Sequence, residues 1–177
     1  MSYIRGQERS VHQTLYTVLS SNLTTLGWIG SSGWPFGAST GVTLVEEMPL
    51  VNTAVLPNTV AFTEGLNPDD KAGEIGAASG GLWLGEHTFF IDVLGESMGI
   101  AKAIRDDIKA IFGGRLSGTS RLIYLTDYSA APPVQTDHLL EVTDIQTETP
   151  VNQSAYKANW ITVKLTVEHQ FTATMDI

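Results

Sequence analysis

The stretch His87-Thr88-Phe89-Phe90-Ile91-Asp92-Val93-Leu94-Gly95-Glu96-Ser97-Met98-Gly99-Ile100-Ala101-Lys102-Ala103-Ile104-Arg105-Asp106-Asp107-Ile108-Lys109-Ala110-Ile111-Phe112 changes its hydrophobic period part-way along. Over 87–94 the period is two, with Phe89, Ile91 and Val93 on one face, which predicts a strand. From about residue 97 to 112 the period becomes helical. Ala101, Ile104, Ile108, Ile111 and Phe112 form an apolar stripe, and Lys102, Arg105, Asp106 and Lys109 form a wet face on which Lys102 and Asp106 stand at i, i+4. Gly113-Gly114 ends the helix, and a short strand at 82–84 precedes the whole unit across a Gly85-Glu86 break.

Toward the N-terminus, Val11, Leu15, Val18, Leu19, Leu23 and Leu26 recur at three- and four-residue spacing, predicting a helix over about 3–26 that Gly27 stops. Its Ser, Thr and Asn content makes it dependent on tertiary packing. Short β-type runs lie at about 42–47 and 59–64, and three further strands are predicted at about 121–127, 139–147 and 159–172. The last alternates most cleanly. Ile161, Val163, Leu165 and Val167 fall on one face and Thr162, Lys164, Thr166, Glu168 and Gln170 on the other, so one side of the sheet packs on a core and the other faces water or a subunit. With no helix among the last three strands, their pairing is antiparallel. The predicted class is α+β, an antiparallel or mixed β-sheet with two helices packed on one face, in a single domain spanning 1–177 with long loops at about 28–41, 65–81 and 129–137.

Composition removes several kinds of chemistry. At 177 residues and 42% hydrophobic content the chain supports one real core. The absence of cysteine removes disulfides, thiolate metal sites and a thiol nucleophile together. Ten basic against nineteen acidic residues give a net charge of −9 with no compensating basic cluster, which argues against phosphate-backbone binding and against anionic membranes. No apolar run reaches a bilayer-spanning length and the first residues lack a signal-peptide core, so synthesis in the cytosol is expected.

One catalytic pattern stands out. Gly95-Glu96-Ser97-Met98-Gly99 is a G-x-S-x-G between a strand and a helix, the setting of a hydrolase nucleophile elbow, and Asp127 or Asp137 with His138 or His169 would complete a Ser, Asp, His order. Against it, no helix follows Phe112 to build a parallel sheet, no His-Gly-Gly stretch offers an oxyanion hole, and such a pattern arises easily among 17 glycines. Gly95 as a turn residue and Ser97 as a helix cap account for it more simply. His12, His87, His138 and His169 lack metal-ligand spacing and read as surface or strand-edge residues. The doublets Glu46-Glu47, Asp69-Asp70 and Asp106-Asp107 read as solvated faces, since neighbouring side chains point apart. No catalytic, cofactor or metal residue is therefore expected. The Gly- and Ser-rich segment 28–41 carries Trp28, Trp34 and Phe36, rings that either dock partners or form a lid over their own core.

In the order, size and texture of its elements the chain resembles the tail terminator proteins of long, non-contractile-tailed phages, within the wider group of tail-completion and head–tail connection subunits. The resemblance lies in Val11-His12-Gln13-Thr14-Leu15-Tyr16-Thr17-Val18-Leu19, in the 89–94 strand with the 101–108 helix, and in Trp160-Ile161-Thr162-Val163-Lys164-Leu165-Thr166-Val167-Glu168. It implies a hexameric ring of identical subunits in the virion, assembled in the host cytoplasm, that caps the head-proximal end of the tail tube, ends tube polymerisation and meets the head connector. DNA would pass through the lumen without specific binding. Trp28, Trp34, Phe36, Leu66 and Trp83 are the expected subunit or tube contacts. Another connector or tube subunit is the alternative within this class, and a serine hydrolase at Ser97 the alternative outside it.

Overall fold

The computed structural model describes residues 7–30, 32–47, 58–65, 73–75, 82–148 and 159–172, with the backbone path alone at 7–8, 73–75, 82–84 and 170–172. Among the described residues the elements follow in this order: helix α1 (Gln7–Thr25), a 3-10 turn at Pro35–Gly37, strands β1 (Thr43–Val45), β2 (Thr59–Glu64), β3 (Gly73–Ile75) and β4 (Leu82–Gly95), helix α2 (Met98–Phe112), and strands β5 (Leu122–Asp127), β6 (Val134–Glu148) and β7 (Asn159–Thr172). All seven strands join one sheet in the order β1-β2-β4-β7-β6-β5, with β3 beside the first residues of β4. Every pairing is antiparallel except β1 with β2. The class is α+β with a mixed sheet.

Both helices lie on the same face of that sheet. Val11, Leu15, Leu19 and Leu23 of α1 are fully buried, as are Ala101, Ile104, Ile108 and Phe112 of α2, against Phe89, Ile91 and Val93 of β4 and Val163, Leu165 and Val167 of β7. The helix ends follow from local chemistry. Gly27 adopts φ +82°, which lets the Trp28 amide reach back to the Leu23 carbonyl at 2.9 Å. Ser97, in extended conformation, caps α2 by accepting from the Ile100 amide at 3.2 Å.

Four expectations change. The Gly85-Glu86 break does not exist: β4 runs unbroken from Leu82 to Gly95, because fourteen residues of β7 pair with it in continuous register and supply the hydrogen bonds that a glycine alone cannot. Strand β6 begins at Val134, inside the predicted 129–137 loop, and a three-residue strand falls inside the predicted 65–81 loop. Asp106 pairs with its neighbour Arg105, at 2.8 Å to Nε and 2.7 Å to Nη2, rather than with Lys102, because the guanidinium offers the carboxylate two donors.

Candidate assembly surface

The sheet face opposite the helices has two unlike halves. Toward Gly95 and Asn159 it is buried: Leu94 and Ala61 are fully covered and Thr59 nearly so. Asp92 there accepts from Trp160 Nε1 at 2.8 Å and from the Thr162 hydroxyl, so its carboxylate is satisfied where it is covered.

Toward the other end the face is open and acidic. Glu86 pairs with Glu168 across β4 and β7, and Glu168 pairs with Glu141 across β7 and β6, so three glutamates stand abreast. Directly opposed side chains on adjacent strands lie about 5 Å apart, and like charges so placed destabilise the sheet. A bulge between Val142 and Asp144 shifts the alternation of β6 by one residue, so Asp144 and Glu148 extend the face of Glu141 opposite Thr166 and Thr162. Lys164, opposite Gln146, is the basic residue among them on the described strands.

The acidic row gives way to an apolar margin. Tyr124 of β5 pairs with Leu139 of β6, Leu122 pairs with Glu141, and Tyr124 and Leu122 are 53% and 51% exposed. Strand β5 is the sheet's outer edge, a place where unpaired amides invite another chain. Helix α1 closes half of that edge with hydroxyls spaced one turn apart. Thr14 Oγ1 accepts from the Thr126 amide at 3.1 Å, Ser10 Oγ accepts from the Tyr128 amide at 3.2 Å, and Thr17 bonds the Tyr128 hydroxyl at 3.0 Å.

The five residues expected to make contacts separate. Trp28 is fully buried, donates its indole N–H to Asp107 at 2.7 Å and stacks on Phe36 at 6.1 Å, so it belongs to its own chain's core; the lid reading holds for it. Trp34 is half-buried against the same core, with its indole where a Cβ on Gly41 would stand. Phe36 is 74% exposed and held at φ +55°, a left-handed conformation costly for a residue with a side chain. Trp83 has its backbone in β4, opposite Phe171, while Leu66 lies outside the described residues. Sequence reasoning missed Tyr124, Leu139 and the glutamate row; alternation put Glu168 on the outward face, but only strand register brings the other two beside it.

The elbow pattern at Ser97 does not assemble a triad. Ser97 sits beyond the Gly95 end of β4, and His87 lies eight residues away along that strand, about 25 Å. His169 stacks on His87, His138 lies on β6 near them, and His12 contacts Phe62 and Phe89. No imidazole therefore stands beside Ser97. Glu96 is instead a structural group: the Ser39 amide donates to it at 2.8 Å and the Ser39 hydroxyl also bonds it, which together hold its carboxyl below the usual range. Buried Asn58 accepts from the Glu96 amide at 2.9 Å and donates to the Thr40 carbonyl at 2.9 Å, tying the loop after Phe36 to the β4–α2 turn. Asp107 departs from the solvated reading, because it accepts a hydrogen bond from the Trp28 indole N–H.

No protein-family model matches this chain, and no curated protein does. Among solved structures, a chain of the virion of a native gene transfer agent (GTA) particle is similar to it over 95% of this chain and 98% of that one, with a TM-score of 0.47 and 12% identity. A likeness of that level says nothing of function by itself.

Proposed function

We propose that the chain is a structural virion subunit, and within that class a tail terminator: copies close into a hexameric ring on the head-proximal end of the tail tube, stop its growth and present the joining surface for the head connector. The observation that carries the reading is the row Glu86–Glu168–Glu141. Like charges directly opposed on neighbouring strands repel one another. Lining a passage for DNA gives the row a use, since an acidic wall repels phosphates and lets the polyanion slide without adhering. The apolar margin at Leu122, Tyr124 and Leu139 beside that wall, and the exposed ring of Phe36, supply ring-closing and tube contacts. The role is that of a non-enzymatic assembly part, with self, tube protein and connector as partners and no cofactor or membrane.

Sedimentation velocity on the purified chain tests this. The expected result is a discrete species of about six times the 19.1 kDa chain mass, formed alone or on addition of tube protein. A chain that sediments as a monomer at every concentration, with tube protein present, contradicts it.

A further inference from the structure

The outer edge of the sheet has a gap that α1 does not close. The Val142 amide donates to the Arg121 carbonyl at 2.8 Å, so Arg121 and Ile123 turn their backbone groups toward β6, and Leu122, Tyr124, Thr126 and Tyr128 turn theirs outward. Hydroxyls of α1 take the Thr126 and Tyr128 amides, and Ser120 Oγ accepts from the Leu122 amide at 3.0 Å. The outward amide and carbonyl of Tyr124 and the Leu122 carbonyl have no partner among the described residues. Open backbone groups beside two half-exposed apolar side chains, Leu122 and Tyr124, are what an added strand completes. On its core side this end of the sheet is closed: His87, His138 and His169, read from the sequence as surface or strand-edge residues, are buried on the faces of Phe89, Leu140 and Val167. A strand can therefore join at the edge and not from the helix side.

The sequence holds a segment of matching pattern. Ala173-Thr174-Met175-Asp176-Ile177 follows β7, lies outside the described residues and continues the alternation of that strand, with Ala173, Met175 and Ile177 apolar and Thr174 and Asp176 polar. Laid beside β5 with its apolar positions opposite Leu122 and Tyr124, this segment gives the open Tyr124 groups a backbone partner and covers both side chains on one face. The same alternation puts Asp176 on the face of Arg121, an exposed cation that makes no ion pair among the described residues. Reach decides whose segment it is. Leu140 pairs with Ile123 on one side and with His169 on the other, so β7 lies two strands in from the edge at the level of the gap. From β7 to a position outside β5 is three strand spacings, about 14 Å. Five residues extend at most about 17 Å, so a chain's own segment arrives with about one residue left to pair. The segment of a neighbouring copy has no such distance to cross.

We propose that the open edge at 122–124 of each copy receives residues 173–177 of the next copy as an added strand. The pairing is heterologous, since edge and segment are different parts of the chain, and repeated around a ring it leaves no such edge open. It rests on the ring reading above and names the contact that closes the ring.

The chain contains no cysteine, so introduced thiols are the only ones present. A full-length variant carrying Tyr124→Cys and Met175→Cys, treated with a short thiol-bridging reagent, is expected to give a ladder of covalent oligomers on a denaturing gel. The pair Tyr124→Cys and Thr174→Cys, whose second thiol belongs to the other face of the added strand, should give several-fold less. Sedimentation of the same variants before bridging separates the two ways of failing. A ring that forms without the ladder overturns this contact and leaves the ring reading standing; a chain that stays monomeric with tube protein present overturns both. Bridging within one chain, or equal bridging from positions 174 and 175, also overturns the proposal.

Discussion

Trp28 shows how one residue's surroundings decide between two readings of the same side chain. An aromatic in a Gly- and Ser-rich loop suits a docking surface, yet here the indole is covered on all sides and its N–H has a charged acceptor, Asp107, on the second helix. What the sequence lacks is any mark of that partner, 79 residues away. Trp28→Ala is expected to destabilise the chain by about 3–5 kcal/mol through lost burial and a cavity. Asp107→Ala, which leaves a buried donor unpaired, should cost about 1–3 kcal/mol. Urea denaturation measures both; a Trp28 variant of unchanged stability that only weakens association would return this residue to the contact surface.

At the scale of elements, the edge strand β5 depends on α1. Ser10 and Thr14 are buried polar residues on an otherwise apolar stripe, and their hydroxyls take the Thr126 and Tyr128 amides that the outer edge would leave bare. Thr14→Val keeps the shape and removes the acceptor. It should cost about 1–3 kcal/mol in chemical denaturation, with β5 the first strand to lose exchange protection; unchanged protection of β5 would mean that water serves the edge equally well. Elements with strong internal period were legible in the sequence: β2 and β7 match their predicted spans residue for residue, and α2 differs by its cap alone. Less legible was whatever depends on a neighbour. Gly85 looked like a break because its reason for being glycine is the His169 ring on the next strand. The parallel β1–β2 pair carries no local signal, since three residues of β1 show no period.

For the whole molecule, the sheet divides labour between its faces: one carries both helices and the core, the other an acidic row beside an apolar edge. The net charge of −9 was readable from composition, but its placement required strand register, which sets Glu86, Glu168 and Glu141 abreast. A candidate surface built across three strands leaves no linear motif, which is why the aromatic loop drew notice and the glutamates did not. Electron cryomicroscopy of the assembled protein tests the central claim most directly. Expected is a closed ring around an open centre, with the Glu86–Glu168–Glu141 face bordering the hole. A two-fold dimer, or a ring with that face turned to the outside, would contradict it.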